Sequence, residues 1–402
     1  MRLLHTGDWH LGDRVGSVDR TDDLRRAVER VVQHALDRDA EVLVVAGDIF
    51  SERCRADHLR DAIAELGRVL QPFFDRGGTV VAITGNHDNE TFCRTLQHAM
   101  ALAAPGGVQD GALCQPGRFY LAAGPTFLRL KDRAGQEVQF VLMPYPTEPR
   151  YLKDRAQRYD SLEAKHRALQ AAYVQTLHEI RQHPRFDPKL PSVLVAHIFV
   201  KGSTLRNLFR ITETEDVVFA ESDLETGWAY VALGHIHQAQ CLMNLPHVRY
   251  CGSIEHLDLG ERDDRKSVAL VDVGPSGLVG EPELLPLEAT PFHDVVIADP
   301  QDLAALPALY PDGDRALVRC AVYYRRSNDD LNALLRELHK LFPRCYHIEW
   351  RDSEVTAPVP AADNHTSLRE TVLAYLQTHL AEHADRDAVL ALAEQLLVEE
   401  PR

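Results

Sequence analysis

The first third of the chain alternates short apolar runs with segments in which apolar residues recur every three or four positions. The runs Arg2–Thr6, Glu41–Ala46 and Thr79–Thr84 are typical of buried strands. The segments Asp22–Asp37 and Asp57–Gln71 carry Leu, Ile and Val at helical spacing. This alternation predicts an α/β domain with a largely parallel sheet.

The middle of the chain adds more β structure to this pattern. We expect β-hairpins over Phe119–Met143 and a long charged helix from about Arg150 to His183. Further strands are predicted at Ser192–Ala196, Ala229–Leu233, Val248–Cys251 and Ser267–Val273.

Changes in composition divide the chain into three parts. Gly and Pro cluster over residues 280–286, so we set a first domain at residues 1–283. Residues 284–353 repeat strand and helix on a smaller scale, which predicts a small α+β domain. Residues 354–402 begin with a linker rich in Pro and Ala and continue with two short amphipathic helices.

The charge of the chain varies along its length. The 402 residues carry 44 Lys and Arg against 60 Asp and Glu, a net charge of −16. Residues 281–402 hold 22 acidic and 11 basic residues, whereas residues 151–210 hold 11 basic and 5 acidic ones. A protein that coats DNA by charge alone is therefore excluded, but a local basic surface is not.

The sequence also predicts where the protein resides. No apolar run approaches the roughly 20 residues of a membrane helix. The first residues lack the pattern of a secretion signal, and the seven cysteines are scattered. We therefore expect a cytoplasmic protein with reduced thiols and no contact with a membrane.

Five short polar motifs directly follow predicted apolar runs. They are Gly7-Asp8-Trp9-His10, Gly47-Asp48-Ile49-Phe50, Gly85-Asn86-His87-Asp88, Ala196-His197 and Gly234-His235-Ile236-His237. One such motif would be an ordinary turn or helix cap. Five of them indicate a ligand site at the carboxyl ends of strands, where α/β sheets bind ligands.

The residue types in these motifs favour a metal site. Carboxylate, imidazole and amide groups suit a borderline divalent metal, and their number exceeds the need of one ion. They fit two ions that share a carboxylate, an arrangement that hydrolyses phosphate esters. If the chain stays extended, Asp8 and His10 project to the same side, as do His235 and His237.

This ordered set of motifs resembles the calcineurin-like metallophosphoesterase superfamily. More narrowly, Gly-Asp-Trp-His-Leu-Gly at residues 7–12, Gly-His-Ile-His at 234–237 and Tyr-Cys-Gly-Ser at 250–253 are similar to the Mre-type DNA-repair nucleases, which include the nuclease subunits of SbcCD-type complexes. The resemblance covers about residues 1–275. It implies an α/β fold, namely a four-layer αββα sandwich with a small α+β capping domain and a C-terminal helical tail.

The resemblance assigns roles to residues of this sequence. It implies that two divalent ions, Mn²⁺ in this family, are held by Asp8, His10, Asp48, Asn86, His197, His235 and His237, with Asp48 bridging. It gives His87 the place of the catalytic histidine beside the scissile phosphate, and Asp88 the task of orienting the His87 ring. Where some relatives have a second histidine after the Gly-Asp-x-Phe stretch, this sequence has Ser51.

The resemblance also implies substrates and partners. The expected activity is a Mn²⁺-dependent exonuclease on double-stranded DNA ends and an endonuclease on single strands and hairpins, in which a water or hydroxide that bridges the metals attacks phosphorus. The tail would bind an SbcC-type ABC ATPase at its coiled coil, the nuclease would form a homodimer, and the protein would associate with the nucleoid. Candidate DNA contacts are Arg14, Arg20, Arg53, Arg55, Lys201, Arg206, Arg325 and Arg326.

Two alternatives stay open at the level of sequence. A phosphatase or cyclic-nucleotide phosphodiesterase of the same superfamily would share the fold and the ligand set. A non-catalytic scaffold subunit would keep the fold without the activity, although a complete set of ligands disfavours it.

Overall fold

The computed structural model describes residues 1–52, 54, 56–103, 110–152, 158–204, 216–224, 226–242, 244–353, 373, 376–377 and 386–396. Its strands are β1 (Arg2–Thr6), β2 (Arg14–Val15), β3 (Val18–Asp19), β4 (Val42–Ala46), β5 (Thr79–Ile83), β6 (Ala112–Leu113), β7 (Phe119–Ala122), β8 (Thr126–Lys131), β9 (Glu137–Met143), β10 (Ser192–His197), β11 (Phe199–Val200), β12 (Val218–Phe219), β13 (Tyr230–Gly234), β14 (Gln240–Cys241), β15 (Val248–Tyr250), β16 (Ser267–Gly274), β17 (Gly277–Pro286), β18 (Phe292–Ile297), β19 (Leu317–Tyr324) and β20 (Cys345–Asp352).

Its helices are α1 (Thr21–Asp37), α2 (Ala56–Asp75), α3 (Glu90–Ala103), α4 (Glu148–Tyr151), α5 (Leu162–Arg181), α6 (Leu306–Leu309), α7 (Leu331–Leu341) and α8 (Arg386–Leu396). Short 3₁₀ turns lie at Glu221–Leu224, Leu259–Glu261 and Pro300–Ala305. None of the described helices is long and apolar enough to cross a membrane.

Two large sheets stack face to face and carry helices on their outer sides. One sheet has the order β17-β16-β1-β4-β5-β7, and the other has the order β14-β15-β13-β10-β9-β8-β6. Apolar side chains from both sheets, such as Val44 and Val195, form a buried core between them. Helices α1 to α3 cover the first sheet and α5 covers the second. This arrangement confirms the predicted four-layer αββα sandwich.

Strands β1, β4, β5 and β7 run parallel, as do β9, β10 and β13. Because parallel strands end at the same edge of their sheet, the loops that follow them gather there. The strands predicted before three of these loops agree with the bounds of β1, β4 and β5 to within one residue.

Two predicted elements of the middle region are wrong in part. Only Thr126–Lys131 and Glu137–Met143 form a hairpin, because Phe119–Ala122 joins the other sheet beside β5. The long helix expected from Arg150 to His183 is two helices, α4 and α5. Ser161 caps α5 by accepting a hydrogen bond from the Ala164 amide, so a new helix begins there.

The second domain is built on a three-stranded sheet with the order β18-β19-β20, in which neighbouring strands are parallel. Its core includes Val295, Cys320 and Leu338, the last on α7. The expected boundary between residues 283 and 284 falls inside β17, which pairs with β16 of the first domain up to Pro286. The change of domain therefore lies between Pro286 and Phe292, while most of the predicted tail at 354–402 is outside the described residues.

Candidate metal centre

Side chains from five loops converge where the parallel strands of both sheets end. Asp8 and His10 follow β1, Asp48 follows β4, Asn86 follows β5, His197 ends β10, and His235 and His237 follow β13. The ligand atoms of Asp8, His10 and His237 lie within 4.8 Å of one another, and so do those of Asp8, Asp48 and His197. The structure thus brings together residues that are far apart in the sequence.

The backbone at this edge is unusual. Asp8, His10, Asp48 and His235 have φ angles of +51°, +47°, +50° and +96°, in the left-handed region that L-residues other than glycine rarely adopt. The extended chain that would place Asp8 and His10 on the same side is therefore absent, and the left-handed backbone directs the two side chains instead. Such residues cost about 1–3 kcal/mol each and cluster at functional sites, where they re-aim side chains.

Two glycines let the loops approach one another. A Cβ atom on Gly47, which has φ +94°, would lie 2.3 Å from the His197 ring. A Cβ atom on Gly85 would lie 2.1 Å from a carboxylate oxygen of Asp48. The small residues that precede the ligands in the sequence thus leave room for the side chains of neighbouring loops.

Two carboxylates are buried in the centre, with Asp8 0% and Asp48 1% exposed. Burial raises the pKa of Asp8. Burial acts in the same direction on Asp48, but the nearby His197 and His10 hold its pKa well below the usual range. Burial alone would lower the pKa of His197, yet the Asp48 and Asp8 carboxylates raise it to about 9. The pocket therefore favours positive charge beside its two acids.

On the side of the second sheet, one ring nitrogen each of His197 and His235 and the side-chain oxygen of Asn86 lie close together. The Ala46 carbonyl can only accept, so the Nδ1–H of His197 donates to it at 2.7 Å. The Asp216 carboxylate accepts in the same way from Nε2 of His235. The other ring nitrogens, Nε2 of His197 and Nδ1 of His235, each lie 3.0 Å from Oδ1 of Asn86. A divalent ion at this spot would displace the proton that the raised pKa of His197 favours on Nε2, and would accept electron pairs from Nε2 of His197, Nδ1 of His235 and Oδ1 of Asn86.

The donor set fits two divalent ions. Oδ2 of Asp48 lies 3.5 Å from Nε2 of His10 and 3.3 Å from Nε2 of His197, between the two groups of donors. A carboxylate so placed can serve both ions, and the oxygen and imidazole donors suit borderline metals.

His87 lies at the open side of the centre. Its backbone amide donates to Oδ1 of Asp48 at 2.9 Å, and its ring centroid is 4.9 Å from that of His10. Its side chain is 23% exposed, so a molecule arriving from solvent reaches it. Nδ1 of His87 lies 3.5 Å from a carboxylate oxygen of Glu52.

The hydrogen bonds of Asp88 go to the backbone of neighbouring loops. Its carboxylate accepts hydrogen bonds from the backbone amides of Ile49, Phe50 and Gly85, at 2.8–3.2 Å. Burial and the nearby Asp48 raise the pKa of Asp88 to about 6. These contacts hold the loop after β5 against the loop after β4, and the orientation of the His87 ring by Asp88 stays a prediction.

The candidate DNA contacts fall into three groups. Arg20 is fully buried, donates to Asp23 at 2.8 Å and to the His256 carbonyl at 2.6 Å, and therefore cannot be a DNA contact. The side chains of Arg14, Lys201, Arg325 and Arg326 are at least partly exposed, with Arg14 paired to Asp19 and Arg325 to Asp299. Arg53, Arg55 and Arg206 lie outside the described residues.

Two carboxylates at the centre were not predicted from the sequence. Asp216 contacts His235, and Glu261 accepts from Nδ1 of His237 at 2.7 Å. Asp216 precedes a short strand instead of following one, and Glu261 lies in a charged stretch, so neither shares the pattern of the metal motifs. The signal that could have found Asp216 is its position at the end of an acidic run, directly before four apolar residues.

Known proteins are similar to this chain over most of the first domain. A match of 28% identity over 276 residues pairs it with the SbcD subunit of the nuclease SbcCD from Escherichia coli K12, covering 67% of this chain and 64% of that one. The subunit of the same name from Bacillus subtilis is 28% identical over 281 residues, 68% of this chain and 67% of that one. "DNA double-strand break repair protein Mre11" of Aeropyrum pernix is 25% identical over 333 residues, 82% and 70%.

These relatives confirm the resemblance to Mre-type nucleases, although the match spans less than two thirds of the E. coli protein. The profile of the family described as "Calcineurin-like phosphoesterase" matches residues 1–239, more than half of the chain. That region contains every side chain of the predicted metal set. The chain therefore belongs to the calcineurin-like phosphoesterase family.

Proposed function

We propose that this chain is a metal-dependent phosphodiesterase that cleaves DNA, with Mn²⁺ as its metal. The observation that carries the proposal is the convergence of the predicted metal set around two buried carboxylates at the sheet edge. The similarity to SbcD proteins, which are nucleases by name, supports DNA as the substrate.

The residues divide between two ions in this proposal. One ion would be held by Asp8, His10, Asp48 and His237, and the other by Asp48, Asn86, His197 and His235. Bound there, the ions would neutralise the phosphodiester and activate the attacking water.

The protein's own groups have complementary tasks. Asn86, His87 and His237 reach the surface, so they define the side from which a phosphodiester enters. His87 would donate a hydrogen bond or a proton to the phosphate or to the leaving sugar oxygen, which stabilises the charge that develops there. Asp88 would hold the loop that carries His87 in position through its three hydrogen bonds to backbone amides.

The wider assembly is proposed on the same similarity. The chain would act on double-stranded ends, hairpins and single strands as the nuclease subunit of an SbcCD-type complex with an SbcC-type ATPase. It would function as a homodimer, in the cytoplasm at the nucleoid. The basic candidates that remain exposed, Arg14, Lys201, Arg325 and Arg326, would contact the DNA backbone.

The decisive experiment supplies the purified chain with Mn²⁺ and compares linear, hairpin and circular DNA with bis-p-nitrophenyl phosphate. We expect cleavage of linear and hairpin DNA and the binding of about two Mn²⁺ per chain, which isothermal titration calorimetry measures. Hydrolysis of the small ester alone would favour a phosphatase or a small-molecule phosphodiesterase. Absence of both metal binding and hydrolysis would favour the scaffold alternative.

A further inference from the structure

Asp216 joins two elements behind the metal centre. Its Oδ2 accepts a hydrogen bond from Nε2 of His235, and its Oδ1 accepts from the Tyr145 hydroxyl at 2.8 Å and from the Val217 amide at 2.7 Å. Asp216 is 7% and His235 4% exposed, so water competes little for these bonds. Tyr145 follows β9, and its amide donates a hydrogen bond to the carbonyl of Thr84, the residue directly after β5.

This contact decides which nitrogen His235 offers to the centre. With Nε2 protonated and bonded to Asp216, Nδ1 keeps its lone pair and lies 3.0 Å from Oδ1 of Asn86. A half-turn of the ring about Cβ–Cγ would bring Cδ2 to that place, where a carbon cannot bind a metal. The carboxylate therefore fixes both the tautomer and the orientation of the ring.

In His237 the other ring nitrogen, Nδ1, makes the hydrogen bond to a carboxylate. Its Nδ1 donates to Glu261 at 2.7 Å, which leaves Nε2 for the group formed with Asp8 and His10. Glu261 is itself held by the buried ammonium of Lys266 at 2.6 Å and by the Ser253 hydroxyl at 3.0 Å. The two histidines of one Gly-His-Ile-His motif thus use different nitrogens, each selected by a carboxylate outside the motif.

We infer that Asp216 and Glu261 are positioning residues that set His235 to bind metal through Nδ1 and His237 through Nε2. The inference rests on the proposed function, since it concerns the same centre. It adds that metal affinity depends on two residues which contact no metal themselves.

The test measures Mn²⁺ binding to the full chain by calorimetry and by the loss of the free-Mn²⁺ signal in electron paramagnetic resonance. Asp216→Asn is expected to weaken one of the two sites by about 10–100-fold, the usual effect of losing a partner behind a metal ligand. His235→Ala should weaken the same site. Because Asp216 acts through His235, the double variant should bind no more weakly than His235→Ala alone.

Asp223→Asn is the matched control. Asp223 follows Asp216 closely in the sequence. Its carboxylate accepts hydrogen bonds from the Ala220 amide and the Gln170 side chain, each at 2.7 Å, and from none of the metal residues. It should leave both Mn²⁺ affinities unchanged. Tyr145→Phe removes only the hydroxyl that Asp216 accepts, and should weaken the same site by less than Asp216→Asn does.

Each outcome separates the inference from the proposed function. Two Mn²⁺ in the wild type with unchanged affinity in folded Asp216→Asn and Tyr145→Phe would overturn the inference alone. Effects of Asp216→Asn and His235→Ala that add fully would also overturn it, because they would act independently. A wild type that binds no Mn²⁺ would overturn the proposed function and this inference with it.

Discussion

Gly85 and Asp48 show how the metal centre depends on single atoms. Gly85 precedes Asn86 and His87, and the place of its missing side chain is occupied by the Asp48 carboxylate. The neighbouring His87 amide donates to the same carboxylate at 2.9 Å. A larger residue at position 85 would push Asp48 away from both groups of metal donors.

Gly85→Ala should therefore destabilise the protein by about 1–3 kcal/mol, as overpacking does, and weaken Mn²⁺ binding. Thermal unfolding and calorimetry measure the two effects. Gly67→Ala is the matched control, because a Cβ at Gly67 meets nothing within 4 Å on helix α2. It should raise stability by about 0.5–1 kcal/mol. Equal effects of the two substitutions would contradict the close packing at Gly85.

His87→Ala should separate chemistry from metal binding. We expect kcat to fall by about 10²–10⁴-fold, the usual contribution of a general acid, while about two Mn²⁺ still bind. His98→Ala, at an exposed position of α3, serves as the control and should leave both quantities unchanged. Loss of metal together with activity in His87→Ala would mean that His87 is a ligand.

At the scale of elements, the second domain packs against the N-terminal end of helix α1. Asp23 in its first turn accepts from Arg20 at 2.8 Å and from Arg344, which lies just before β20. Hydrogen bonds to these two arginines lower the pKa of Asp23 against the effect of burial. The guanidinium of Arg20 also lies 5.7 Å from the ring of Phe292 on β18. Arg20 is thus one of the buried side chains through which the first domain contacts the second.

Arg20→Ala should cost about 3–5 kcal/mol, the effect of breaking a buried ion pair, and shift thermal unfolding to lower temperature. Arg14→Ala removes an arginine from the same region whose side chain is 42% exposed. Its effect on stability should stay within about 0.5 kcal/mol. The assignment of Arg20 to domain docking would be wrong if both variants unfolded at the wild-type temperature.

The sequence predicted elements well where local pattern decides them. The strands before Asp8, Asp48 and Asn86 are apolar runs, and the ligand residues stand at their ends, so both the strands and the site could be predicted. The role of Arg20 could not be predicted, because its partners lie as far away in the sequence as His256 and Phe292. The left-handed backbone at Asp48 also has no local signal, since contacts between loops impose it.

At the scale of the whole molecule, the three-stranded sheet of the second domain ends with β20 at Asp352. The Ser353 amide and hydroxyl both donate to the Tyr324 carbonyl, at 2.8 and 2.9 Å, which ties the end of β20 to β19. The remaining residues, 354–402, belong to the acidic last third of the chain. An acidic segment suits a protein partner better than DNA.

Removal of residues 354–402 should therefore leave Mn²⁺-dependent nicking of DNA intact and abolish association with the SbcC-type ATPase. Co-purification of the two chains and a plasmid-nicking assay measure these outcomes. A truncation at residue 386, which keeps most of the segment, provides a graded comparison. Unchanged co-purification of the shorter chain would show that the ATPase binds elsewhere.

The position of β1 has a consequence for protein synthesis. This first strand lies between β4 and β16, and its partner β16 comprises residues 267–274. The ribosome must therefore complete nearly the whole first domain before the central sheet can close. Pairing of such distant segments is slow. The loops that carry Asp8 and Asp48 consequently gain their final sheet only after residues 267–274 have left the ribosome, so the metal centre is assembled late in the synthesis of the first domain.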